Sequence, residues 1–212
     1  MSGAARLFPV GHLVDVWRDG VDGPPRTWLV RVRSELLQLD AARFAVWAQA
    51  HSRVGHPVGT PWTRADVVAA AVAGRDLPAA TAERAVDDLL ARRALAEVAD
   101  GDDERRRFLT AHSLLPLVIG LGNTAERPTV FALGLPQQTL VTGPRALHDL
   151  VGHSPGHSSM WAACRAAARD AVALDVPLDV IRDPDRTAGL LVDNLHALLA
   201  PHAVRLDVSG MP

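Results

Sequence analysis

The spacing of apolar residues along the first half of the chain switches from strand-like to helix-like and back. Val10–Trp17 and Thr27–Arg33 are β-branched or aromatic stretches. They are joined by Arg18-Asp19-Gly20-Val21-Asp22-Gly23-Pro24-Pro25, whose Gly, Pro and Asp content predicts a loop between antiparallel strands. Arg33-Ser34-Glu35 reads as a tight turn into a third short strand, Leu36–Leu39. Asp40 stands where it would cap a helix in which Phe44, Trp47, Ala48 and His51 share one face. A second helix starts after Trp62: Thr63 and Asp66 have the spacing of a capping box, and Ala65, Val68, Ala69 and Val72 make an apolar stripe. In the third helix Pro78 stands near the start and Ala82, Ala85, Val86, Leu89 and Leu90 recur at helical spacing. Leu95–Val98 is read as a returning strand before the polar run Asp100-Gly101-Asp102-Asp103-Glu104.

The second half runs through the same order. Leu114–Leu121 and Thr129–Leu133 are predicted hairpin strands joined through Gly122-Asn123-Thr124-Ala125-Glu126-Arg127-Pro128. Pro136-Gln137-Gln138 is the turn and Thr139–Thr142 the third strand. Helices are predicted over Pro144–Val151, Ser159–Leu174 and Pro184–Leu199. The last has a cap-then-proline start at Asp183-Pro184 and a stripe of Leu191, Leu195, Leu198 and Leu199. The repetition extends to residue identities. His51-Ser52-Arg53-Val54-Gly55-His56 returns as His153-Ser154-Pro155-Gly156-His157, Arg43 as Arg145, Trp62 as Trp161, and Val86-Asp87-Asp88-Leu89 as Val192-Asp193-Asn194-Leu195. The offsets drift between 99 and 106, as insertions and deletions after a duplication would leave them. That period is far longer than a solenoid repeat. The expectation is an α+β chain of two tandem units, residues 1–108 and 109–212, each a small antiparallel three-stranded sheet followed by three helices.

Composition narrows the function. With 212 residues, 48% of them hydrophobic, the chain can bury two domain cores. A formal net charge of -2 gives no global attraction to nucleic acid or acidic membranes. The single cysteine, Cys164, excludes an intramolecular disulfide and a multi-cysteine zinc site, in keeping with a reducing cytoplasm. Met1–Val10 has no charged-then-apolar leader and no apolar run approaches membrane-spanning length, so a cytoplasmic protein without a membrane partner is expected. All 22 basic residues are arginine, and lysine and tyrosine are absent, which marks a GC-rich coding genome. An arginine in this chain is therefore weak evidence for bidentate recognition.

The stretch Trp28-Leu29-Val30-Arg31-Val32-Arg33-Ser34-Glu35-Leu36-Leu37-Gln38-Leu39-Asp40 is an apolar third strand ending in Asp at a helix start. The helix carrying Phe44 and Trp47 follows it, and a third helix ends in Leu89–Leu95. This arrangement resembles the PqqD-like winged-helix fold, the recognition element of enzymes that modify ribosomally made peptides. The resemblance covers residues 10–98, and 114–208 more weakly. It implies two tandem winged-helix units in a non-catalytic protein without a cofactor, binding a peptide or protein partner such as a modifying enzyme. In that family the third strand offers an open edge, to which an extended leader peptide adds as a further strand; its side chains enter the groove between that strand and the third helix. Carried onto this chain, the edge is Leu36, Leu37, Gln38 and Leu39, and Arg84, Asp88 and Arg92 flank the groove. The competing reading is an ordinary sheet edge covered by the other copy. The unequal divergence of the copies also allows one unit to bind while the other packs against it or forms a homodimer.

Winged helices also bind DNA. Leu89–Thr110 has the outline of a regulator's wing: a helix end, Ala96-Glu97-Val98, then Asp102–Arg107 and Phe108-Leu109-Thr110, with Arg105, Arg106 and Arg107 as phosphate contacts. The charge balance argues the other way. Pro78–Leu95 sets Glu83, Asp87 and Asp88 against Arg84, Arg92 and Arg93, and Pro184–Ala200 sets Asp185 and Asp193 against Arg186 alone. Asp100 and Asp102–Glu104 precede the arginine triplet. A helix entering the major groove should be basic or amide-rich on its exposed face, so a transcription regulator is the alternative and not the main expectation.

For chemistry, His148, His153 and His157 are weak zinc candidates, with Asp149 between them and Cys164 just beyond. Gly, Pro and Ser around them predict a loop between the first and second helices, where His-Ser serves turns and helix ends, so no metal is expected. Gly120-Leu121-Gly122-Asn123 is too short for a phosphate-binding fingerprint and is expected to be a turn. No nucleophile elbow or paired-carboxylate signature suggests an enzyme. Cys164, in an Ala-rich helix, is expected to be buried. Trp47, Trp62 and Trp161 are expected at inter-helix junctions, and Trp17 and Trp28 as a cross-strand pair.

Overall fold

The computed structural model describes residues 4–20, 23–75, 77–173 and 179–210. Val21 and Asp22 of the first predicted loop, and Leu174 at the predicted end of a helix, lie outside the described residues. The chain is α+β and divides into two compact units. The first comprises Met1–Ser52, Pro61–Asp100 and Leu206–Val208; the second comprises Arg53–Thr60, Gly101–Arg205 and Ser209–Pro212.

The first unit contains β1 (Arg6–Pro9), β2 (His12–Arg18), β3 (Pro25–Val32), β4 (Glu35–Leu39), α1 (Ala41–Gln49), α2 (Arg64–Arg75), α3 (Ala79–Ala91) and β5 (Leu95–Val98). Strands β2, β3 and β4 form an antiparallel sheet in that order, and β1 pairs with β5. Arg33 takes a φ of 54° in the tight turn that sets Val32 opposite Glu35. The two-residue strand period then sends Trp28 and Val30, with Leu37 and Leu39 opposite them, onto one face. That face packs with Val46 and Trp47 of α1, Val67 and Ala71 of α2, and Val86 and Leu89 of α3. Phe44 stacks on Trp28 with ring centroids 4.7 Å apart.

Local chemistry starts each helix. Asp40 caps α1 by accepting the Arg43 N–H at 2.9 Å. At α2 the box is reciprocal: Asp66 Oδ2 accepts the Thr63 N–H at 2.8 Å, and Thr63 Oγ1 accepts the Asp66 N–H at 3.3 Å. Arg64 then ties α2 to α3 through Glu83 and Asp87, both at 2.7 Å. The hydrogen bond from Arg64 holds the Asp87 carboxyl below the usual aspartate range. A carboxylate depressed in this way adds stability above its unfolded value, and that stability is lost as pH falls through the folded value. Arg64→Met should therefore lower the melting temperature at neutral pH, by a modest amount because water screens the pair. The gap to wild type should close as acid protonates Asp87, and a gap unchanged in acid would rule out this linkage.

The second unit contains α4 (Asp102–Ala111), β6 (His112–Pro116), β7 (Ile119–Thr124), β8 (Arg127–Leu135), β9 (Gln138–Gly143) and α5 (Arg145–His153). A 3-10 turn (Ser154–Gly156), α6 (Met160–Ala173), α7 (Asp179–Arg182), α8 (Pro184–Leu199) and β10 (Val204–Val208) complete it, although the last three residues of β10 cluster with the first unit. Strands β7, β8 and β9 form the three-stranded sheet and β6 pairs with β10. The plan of the first unit is thus repeated, with α5, α6 and α8 in the places of α1, α2 and α3. Gln137, at a φ of 69°, repeats the turn at Arg33. Among the described residues α4 and α7 have no counterpart in the first unit.

Several expectations change. The division between units falls at Asp100–Gly101 rather than after residue 108, and each unit takes a short segment from the other half of the chain. Asp102–Thr110 is helix and not the second strand of a wing, because Asp102, Asp103 and Glu104 fill a first turn where the helix dipole favours acids. The predicted strand Leu114–Leu121 is two strands, interrupted at Leu117-Val118, and Gly120–Asn123 lies inside β7, with the turn at Ala125-Glu126. Trp17 and Trp28 are not a cross-strand pair. Val16 stands opposite Trp28 and Trp17 opposite Thr27, so Trp17 points to the other face and is half-exposed.

Candidate functional site

Strand β4 ends its sheet: β3 pairs with one side, and among the described residues no strand pairs with the other. Its side chains alternate between core and water. Leu39 is fully buried and Leu37 packs against the core, while Glu35 and Gln38 are exposed and Leu36 is 50% exposed. An edge of this kind, without proline and with a leucine half in water, is a template for another extended chain.

The predicted flank lies on α3 and is tied to the residue after β4 at one point, Asp88. Arg84, Asp88 and Arg92 lie four residues apart along α3 and so share a face. Asp88 Oδ2 accepts from Arg43 Nε at 2.6 Å and lies 3.3 Å from Arg92 Nε. Arg43 also pairs with Asp40, the residue directly after β4. Arg43 thus links the end of the edge strand to the middle of α3. It was marked in the sequence only as a repeat position; the signal for its role was an arginine three residues after the cap, one helical turn along the face that α3 meets. Arg84 is exposed, and among the described residues it donates to the Thr81 hydroxyl at 3.3 Å and pairs with no carboxylate.

The other candidates have local duties. Arg105, Arg106 and Arg107 all lie on α4, and each faces an acid. Arg105 meets Asp102 at 2.9 Å, Arg106 meets Asp185 at 2.9 Å, and Arg107 pairs with Glu104. Arg106 also lies over the Trp161 ring, 5.1 Å from its centroid. A triplet so neutralised is a poor phosphate clamp.

His51 and His153 close their helices in the same way. Nδ1 of His51 donates to the Trp47 carbonyl at 3.2 Å, and Nδ1 of His153 to the Asp149 carbonyl at 2.8 Å. His148 Nδ1 contacts Asp149 Oδ1 at 3.0 Å, its ring lies 5.5 Å from that of Phe131, and its Nε2 is buried against Gly120, where a Cβ would collide with it. His157 is half-buried beyond the 3-10 turn. Among the described residues no group of three or more His, Cys, Asp or Glu side chains is arranged to hold a metal ion. Cys164 is fully buried, and burial pushes its thiol up to about 12. The native protein should resist a thiol reagent at mildly alkaline pH and react in full once urea unfolds it; rapid native labelling would show that the thiol is accessible.

Comparison of the chain with protein-family models, curated proteins and solved structures gives no match. Among the described residues no helix is long and apolar enough to cross a membrane.

Proposed function

We propose that this chain is a non-catalytic binding protein that takes up an extended peptide, or an extended segment of a protein partner, as an additional strand on β4. The reading rests on one observation above all: among the described residues no strand pairs with the outer edge of β4, and that edge is partly apolar. Backbone hydrogen bonds along β4 supply affinity to any extended chain, and alternate side chains of that chain select sequence. Such a protein suits a cytoplasmic peptide-modification pathway, in which it presents the peptide to a modifying enzyme, as the PqqD-like resemblance implies. Fluorescence anisotropy with labelled peptides encoded beside the gene should show saturable binding. Flat titrations across those peptides, or a salt-sensitive gel shift with DNA of the adjacent promoter, would overturn the reading.

A further inference from the structure

We infer that the segment Leu206–Val208 is a strap that holds the β3–β4 hairpin, and with it the register of the edge strand β4.

The segment belongs to the first unit, although the rest of that unit ends at Asp100. Each of its three residues is held there. The Leu206 carbonyl accepts the Gly11 N–H at 2.7 Å, Asp207 Oδ1 accepts the Arg33 N–H at 2.7 Å, and Val208 packs against the core of the first unit. The first two anchors meet one end of the sheet. Gly11, between β1 and β2, runs so close to β3 that a Cβ on it would lie 2.4 Å from the Arg31 carbonyl oxygen and 2.9 Å from Val32 Cγ2. Its φ of 90° is one that glycine takes without strain. Arg31 and Val32 lead directly into Arg33, the first residue of the turn. Leu206 and Asp207 therefore grip the entry to β2 and the exit of β3.

The turn is one that calls for an anchor. Arg33 and Ser34 alone connect Val32 to Glu35, and Arg33 takes a φ of 54°. A two-residue hairpin turn with positive φ at its first central position favours glycine there. Another residue stays in that conformation only where its surroundings fix it. The Arg33 side chain is exposed, and the bond from its N–H to Asp207 supplies the hold. The second unit offers a comparison. Its matching turn has Gln137 at a φ of 69°, and among the described residues no carboxylate meets the Gln137 N–H. There the pairing of β8 with β9 shifts between Leu133 and Gly134, whereas β3 and β4 pair without a shift from Val32–Glu35 to Trp28–Leu39.

Register carries the consequence. A slip of one residue in β4 would turn Leu36 and Gln38 toward the core and Leu37 and Leu39 toward water. By holding the turn, the strap decides which side chains the open edge presents.

Hydrogen exchange of the full chain, resolved by residue with NMR and run without any peptide, tests this. Asp207→Ala should speed exchange of the Arg33 N–H about tenfold, the scale of one lost hydrogen bond to a carboxylate, and the β4 amides should follow. Helix α3 and strand β9 should keep their wild-type protection. Glycine takes positive φ freely, so adding Arg33→Gly to Asp207→Ala should return the β4 amides toward wild-type rates. Unchanged exchange at Arg33 and β4 in Asp207→Ala would overturn the inference. So would an equal loss of protection along α3, which marks a general fall in stability, or a β4 that Arg33→Gly does not rescue. Strand addition on β4 stands apart from each of these outcomes, because no ligand takes part in the measurement.

Discussion

Trp47→Ala should leave the first unit only marginally stable at room temperature, while Trp47→Phe weakens it less. Trp47 is 4% exposed and sits against Phe44 and His51, with ring centroids 6.1 and 4.7 Å away. Its Nε1 donates to the Val10 carbonyl at 3.0 Å, so one side chain joins α1 to the segment between β1 and β2. Truncating a buried tryptophan costs about 3–5 kcal/mol. The orphaned carbonyl adds roughly 1–3 kcal/mol. A small domain has only about 5–15 kcal/mol in all, so the sum removes most of its stability. Phenylalanine keeps much of the ring and loses the hydrogen bond, a penalty of roughly 1–3 kcal/mol. Urea titration followed by far-ultraviolet circular dichroism should give midpoints in the order wild type, Trp47→Phe, Trp47→Ala. Equal midpoints for wild type and Trp47→Ala would show that the ring is not needed for the core.

The second large effect comes from exchanging the residues that distinguish the two third helices. Leu198→Arg should collapse the second unit, whereas Arg92→Leu should barely change the first. Leu198 is fully buried in α8, so a guanidinium there would have to leave water. Burying an unpaired charge costs several kcal/mol even after relaxation. Arg92 is 42% exposed at its side chain and pairs with Asp88 in water. Such a pair contributes about 0–1 kcal/mol. Thermal melts of the two variants should therefore differ widely although the substitutions are reciprocal. If Leu198→Arg melts like wild type, the α8 face around Leu198 is open.

Much of this architecture was legible because it is coded locally. Asp40, the Thr63–Asp66 box, Asp183-Pro184 and the Arg33-Ser34 turn each settle their own few residues, and the structure finds each in that role. Pairings between distant residues were not legible. Arg6–Pro9 has no alternation of its own, and it is a strand because Leu95–Val98 lies beside it. Val204–Val208 is a strand for the same reason, paired with β6. Helix α4 was missed for a different reason. Its acids and arginines were read as opposing charges in a wing, although Asp102–Arg105, Asp103–Arg106 and Glu104–Arg107 have the three-residue spacing of a helix face. At the candidate site the edge strand and the α3 face were visible in the sequence, because period and spacing define them. Arg43 was not, since its role depends on Asp88 in another helix.

The exchange of segments between the halves of the chain sets an order on synthesis. The first unit includes Leu206–Val208: the Gly11 N–H donates to the Leu206 carbonyl at 2.7 Å, and the Arg33 N–H to Asp207 Oδ1 at 2.7 Å. A ribosome that has released residues up to Asp100 has therefore not supplied all of it. The second unit, in turn, waits with Arg53–Thr60 already made. Each unit thus has its full set of segments only after residues from both halves of the chain have been made.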